Sequence, residues 1–185
     1  MNNIKLYRSR ADRFGQILAH AGGRWDAPTP CEDWTVADVV SHVITTERDF
    51  LARHELASGD APTGDPLRAW RAHATDTLAA IEADGVADTA FDGYFGHTTI
   101  GATLADFYGW DLVIHGWDVA RATGQLDPIT DDEAVGLDVA SEAWGPALYS
   151  EGICGPAVPV AEDAGARDRL LGKLGRDPGW TPPAG

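Results

Sequence analysis

Trp110–Gly124, WDLVIHGWDVARATG, carries two side chains able to bind a metal, Asp111 and His115, four residues apart. In a helix successive residues turn by about 100°, so positions i and i+4 stand one above the other on one face. A carboxylate oxygen and an imidazole nitrogen placed that way can reach one ion, as the two histidines of H-E-x-x-H reach one zinc. Taken alone, such a pair is ordinarily a solvated aspartate near a core histidine. Trp110 and Trp117 flank the pair at other helical angles and read as core. Gly124 suits the left-handed residue that ends a helix.

Working outward, capping signals and apolar spacing predict further helices. Thr103 with Asp106 has capping-box spacing and opens the helix that holds the central stretch and ends near Thr123. Thr35 with Asp38 opens an earlier helix running to about Ala57, its apolar face built from Val36, Val39, Val40, Val43 and Ile44. His42 stands on the shoulder of that face. Between the two, a helix over about Leu67–Ala83 turns Trp70, Thr77 and Leu78 inward, which leaves His73 on a solvated face. A first helix over about Ile4–Ala21 stops at Gly22-Gly23, with His20 placed to complement its dipole. The connector Trp25–Trp34, WDAPTPCEDW, is extended by its prolines and reads as a strap pinned by its end tryptophans. Asp84–Ala102, which holds DGYFGHTTIGA with its three glycines and His97, admits short strands or an irregular loop. Thr130 with Glu133 caps a helix ending near Trp144, and a last helix covers about Ala164–Leu174. Long amphipathic helices with few strand-like runs give an all-α fold in one domain over residues 1–185, its four longer helices an antiparallel bundle.

The formal net charge of −15 argues against nucleic-acid and anionic-membrane partners, which ask for a basic face. No apolar run approaches the ~20 residues of a membrane span, and MNNIKLYRSR lacks the apolar core of a signal peptide. A cytoplasmic protein with reduced thiols at Cys31 and Cys154 is expected. Exposed helix faces also leave room for a homodimer.

His42 on one helix and Asp111 with His115 on another form a trio if those helices face each other in the bundle. Three protein ligands leave a coordination position open, the pattern of catalytic rather than structural zinc. Two imidazoles and a carboxylate also suit Fe2+, Ni2+ or Mn2+. Asp118, one turn past His115, could orient that imidazole or form a salt bridge to Arg121 or another cation. His97, in a Gly-rich segment, competes for a role as ligand, substrate contact or proton carrier. His54 reads as exposed. Cys31 has no basic neighbour in sequence and reads as part of the strap.

Three motifs in this order, TPCEDWTVADVVSHV (Thr29–Val43), WDLVIHGWDVARATG and LLGKLGRDPGW (Leu170–Trp180), resemble the actinobacterial DinB-like metal-binding proteins. These are related to the N-terminal domain of mycothiol-dependent maleylpyruvate isomerase. The resemblance implies a DinB/YfiT-type four-helix bundle holding a divalent ion, most readily Zn2+, on His42, Asp111 and His115. The isomerase has Glu where this chain has Asp111, one methylene shorter. The isomerase also has a second domain with no counterpart in these residues, so a reaction other than maleylpyruvate isomerisation is expected. The expected activity is metal-dependent transfer or isomerisation with a low-molecular-weight thiol such as mycothiol and a small electrophile. A metal-dependent hydrolase and a non-enzymatic binding protein are the alternatives.

Overall fold

The computed structural model describes residues 2–57, 59–150 and 153–183. The chain is mostly helical, in the order α1 (Asn3–His20), α2 (Val36–Arg53), α3 (Pro66–Ile81), β1 (Ala90–Gly93), β2 (Gly96–Thr99), α4 (Ile100–Thr103), α5 (Gly109–Ala122), α6 (Asp131–Glu142) and α7 (Ala166–Lys173). A π-helical turn, Leu104–Tyr108, joins α4 to α5, and a 3-10 turn, Gly145–Tyr149, follows α6. Helix α1 packs on α3 and α5, and α2 packs on the same two. No helix among the described residues is long and apolar enough to cross a membrane.

Two apolar clusters hold these elements. The larger joins α1, α2 and α3 to one side of the α4–α5 segment through Phe14, Leu18, Val39, Val43, Trp70 and Leu112. The second lies on the other side of α5, where Trp110, Ile114 and Trp117 meet Leu137 of α6 and Leu170 and Leu171 of α7. Helix α5 is therefore apolar nearly all round and buried on both sides. That burial fixes the rotation of Asp111 and His115 about the helix axis.

The Thr35 capping box forms as the sequence indicates. The Asp38 amide donates to the Thr35 hydroxyl and the Thr35 amide to the Asp38 carboxylate. Helix α2 nevertheless ends four residues before Ala57. Glu55 takes φ +60° and the Leu56 amide bonds back to the Leu51 carbonyl, a Schellman ending without the usual glycine. The Thr103–Asp106 box does not form. The long helical segment starts earlier, at a cap where the Thr99 hydroxyl accepts from the Ala102 amide, and the Thr103 hydroxyl turns to the Thr99 carbonyl. The chain is mostly helical as expected, and of the two readings left open for Asp84–Ala102 the short strands are the one seen: β1 and β2 form a small antiparallel hairpin with Tyr94-Phe95 at its tip. Gly96, at φ +112°, makes the tight reversal possible there. His73 is buried rather than solvated, and meets Glu47 of α2 in the interior.

Candidate metal centre

Helices α2 and α5 bring His42, Asp111 and His115 together. The His42 Nε2 atom lies 3.8 Å from Asp111 Oδ2, and His115 Nε2 lies 3.5 Å from Asp111 Oδ1. One ligand atom from each of the three can be chosen so that all lie within 4.8 Å of one another. Such spacing fits one divalent ion bound at about 2 Å from each atom. Two of the three, His42 and Asp111, border a cavity of about 70 Å3, whose wall is largely apolar: Phe107, Trp110, Ile114, Trp144 and Ile153. Thr46, Tyr108, Cys154 and Arg176 complete it. Both Phe107 and Tyr108 come from the π-helical turn, where the Gly109 amide reaches back to the Leu104 carbonyl and Arg10 donates to the Ala105 carbonyl at 2.7 Å. Such turns recur beside functional sites.

Behind His115 lies a buried charge cluster. His115 Nδ1 donates to Asp118 Oδ2 at 3.0 Å, which leaves Nε2 as the atom facing Asp111. The same Asp118 oxygen accepts from the Cys31 thiol at 3.1 Å and from Arg176 Nη2 at 3.0 Å. Arg176 Nε reaches the other Asp118 oxygen at 3.3 Å. Asp118 therefore orients the imidazole, and Arg121 turns away to the carbonyls of Pro178 and Trp180.

Sequence reasoning missed Arg176. It enters the site because Gly175, at φ +78°, ends α7 in a Schellman turn with the Arg176 amide on the Leu171 carbonyl. A side chain at Gly175 would meet the backbone of Gly155 and Pro156 at 3.0 Å, so the turn also needs glycine for space. The available signal was the glycine-arginine step in LLGKLGRDPGW. Cys31 arrives on the strap, closed by the Thr29 amide on the Trp34 carbonyl at 2.9 Å. The strap also lays Trp34 over the ligands, its ring centroid 4.8 Å from that of His42 and 6.0 Å from that of His115.

The other histidines lie outside the trio. His97 is exposed on the hairpin and meets Asp92 at 3.0 Å. His54 is half-buried against Phe50 and Phe91. His20 is exposed and bonds the Gln16 carbonyl.

Among the described residues, Cys31, His115 and Asp118 form a second group with metal-ligand spacing. The Arg176 guanidinium already occupies its anionic side, 3.0 Å from Asp118 and 3.4 Å from Cys31 Sγ, so a second cation there would meet a fixed positive charge.

The two imidazoles differ in charge. Burial, only partly offset by Asp111, lowers the His42 pKa, so this ring is neutral at pH 7. Burial also opposes charge on His115, but the Asp111 carboxylate and the bond to Asp118 outweigh it and push its pKa up to about 10. An incoming ion must displace that proton. Titration calorimetry of Zn2+ into metal-free protein at pH 7, in buffers of differing ionisation enthalpy, should report release of about one proton per ion. Release near zero would mean either that His115 is not a ligand or that it is already neutral in the metal-free protein.

The model of the mycothiol maleylpyruvate isomerase N-terminal domain family matches residues 7–120. Over 186 aligned residues the chain is 27% identical to the uncharacterized protein Rv0738 of Mycobacterium tuberculosis (strain ATCC 25618 / H37Rv), covering 95% of this chain and 98% of that one. It is also 27% identical over 146 residues to the uncharacterized protein Rv0036c of the same strain, covering 66% of this chain and 57% of that protein. No solved structure matches. The family match takes in the strap, α2 and the ligand-bearing part of α5, so the chain belongs to the mycothiol maleylpyruvate isomerase N-terminal domain family.

Proposed function

We propose that this protein is a divalent-metal-dependent thiol S-transferase or isomerase, using mycothiol or a similar small thiol on a small electrophile. The observation that carries the reading is the trio of His42, Asp111 and His115 beside a small, mostly apolar cavity. A divalent ion bound there, most readily Zn2+, would supply the positive charge that makes a thiol acidic near neutral pH. His42 and His115 would hold it through Nε2 and Asp111 through a carboxylate oxygen. Asp118 keeps the His115 tautomer, Arg176 balances Asp118, and Trp34 screens both rings from water. Burial pushes the Tyr108 hydroxyl up to about 12, so it stays protonated as a donor at the cavity wall.

The lining favours a thiol over hydrolytic chemistry. Asp111 is the only carboxylate among its described residues, which leaves no separate general base for a water. In this reading α1, α2, α3 and α5 correspond to a DinB-type antiparallel bundle. A cytoplasmic, reducing setting suits the free thiols of Cys31 and Cys154.

Metal analysis of wild type, His42→Ala and Asp111→Ala, with melting curves, tests the reading. About one ion per chain is expected in wild type. Both variants should lose it while remaining folded, and only loaded wild type should consume mycothiol in the presence of an electrophile. Negligible wild-type metal, or metal unaffected by either change, would leave a binding role instead.

A further inference from the structure

A second, much larger cavity of about 740 Å3 adjoins the candidate metal site. The two share a wall made by Phe107, Tyr108, Trp144 and Ile153. The far side is built from Phe50, Phe91 and the hairpin tip. The rings form an unbroken chain. Phe91 and Phe50 are 5.9 Å apart between centroids, Phe50 and Tyr108 5.2 Å, Phe107 and Tyr108 5.1 Å, and Phe95 and Phe107 5.6 Å. These separations are those of interacting aromatic pairs.

The hairpin tip supplies an independent observation. Tyr94 is 77% exposed and Phe95 42% exposed, in a chain that buries most of its other large apolar residues. Adjacent exposed rings at a cavity rim mark a ligand-binding edge.

The charges select against an anion. Asp92 and Asp106 line this cavity, with Arg53 as its only Lys or Arg among the described residues. Burial and the neighbouring Arg53 charge lower the His54 pKa, so that ring adds no positive charge at pH 7. Of the two acids, Asp92 also meets His97 of the lining at 3.0 Å, which leaves Asp106 to be set against the one guanidinium. The lining thus offers a carboxylate ligand little net attraction, and apolar surroundings raise the cost of desolvating one.

We infer that this cavity takes an uncharged, planar aromatic compound, held between the hairpin rings and the Phe107–Tyr108 wall that it shares with the cavity of the candidate metal site. The inference rests on the proposed function for calling that compound the electrophilic substrate, but the binding itself does not depend on metal.

Calorimetric titration with 2-naphthol and 2-naphthoate, at one pH near 7, tests it. The two probes share a ring system and differ in charge. Wild type should bind 2-naphthol saturably and at least about tenfold tighter than 2-naphthoate. Phe95→Ala, at the exposed tip, should weaken 2-naphthol about tenfold, consistent with the loss of one stacked ring of about 1.4 kcal/mol. Leu126→Ala, exposed elsewhere, should bind as wild type. His42→Ala should keep 2-naphthol binding even if it loses metal, which separates this inference from the metal reading. Absence of saturable binding, equal or tighter binding of 2-naphthoate, or an unchanged Phe95→Ala overturns it.

Discussion

Asp118→Ala should cost about 3–5 kcal/mol of stability, among the largest losses from any single change in this chain. The carboxylate is fully buried and serves His115, Cys31 and Arg176 at once. Its removal leaves the Arg176 guanidinium, 7% exposed, without a counter-charge. For a chain of this size the loss corresponds to a fall in melting temperature of roughly 6–20 °C. Zinc affinity should drop about 10–100-fold as well, because the His115 ring loses the acceptor that orients it. Pairing the change with Arg176→Met should restore part of the stability, since the stranded charge goes with it, but not the zinc affinity. A melting temperature within a degree or two of wild type for Asp118→Ala would refute the buried-cluster account.

The same cluster sets a pH dependence in the metal-free protein. The His115 pKa is raised to about 10 in the fold, against about 6.5 unfolded, so its contribution is complete below about 6.5 and disappears as pH rises through 10. Burial opposes charge on Asp118, but Arg176 and His115 outweigh it and depress its pKa; its contribution is present above about 4 and is lost as pH falls through the depressed value. Melting curves of metal-free wild type should therefore fall off on both sides of a plateau between about pH 4 and 6.5, and Asp118→Ala should flatten both flanks.

His73→Ala should be comparably damaging, by about 3–5 kcal/mol in urea denaturation, although it touches none of the trio. His73 Nε2 sits 2.7 Å from Glu47 Oε2, and the Tyr7 hydroxyl donates to the same oxygen at 2.6 Å. All three residues are essentially inaccessible, and Glu47 Oε1 has no hydrogen-bond partner among the described residues. Without His73, the Glu47 carboxylate keeps a single donor in an apolar interior. Glu47→Gln, which removes the charge and keeps an acceptor for Tyr7, should cost less than His73→Ala. Metal content should be normal in both, which separates this network from the candidate centre. A loss below about 1 kcal/mol for His73→Ala would contradict a hydrogen-bonded network that matters to the core.

His73 also marks the limit of periodicity as a guide. From α3 alone it falls beside the apolar stripe and reads as solvated. Only the packing of α2 against α3, which delivers Glu47, makes burial of an imidazole affordable there. The hairpin escaped a firm assignment for a related reason. Phe91 and Thr98 are paired across strands, and cross-strand partners leave no fixed spacing in the sequence. The end of α2 was misplaced because Glu55 adopts a left-handed conformation that ordinarily announces itself as glycine.

What the sequence determined by itself was local. The Thr35 cap, the apolar face of α2, the glycine ending at Gly124 and the common face of Asp111 and His115 all depend on residues within a turn or two of one another. Helical geometry alone relates such residues. The tertiary structure decided everything that joins distant segments: the approach of His42 to that pair, the return of Arg176 to Asp118 across 58 positions, and the aromatic wall shared by the two cavities. Those meetings follow from which apolar faces pack together and where Gly175 turns the chain, and burial energy fixes them only once all the helices are in place.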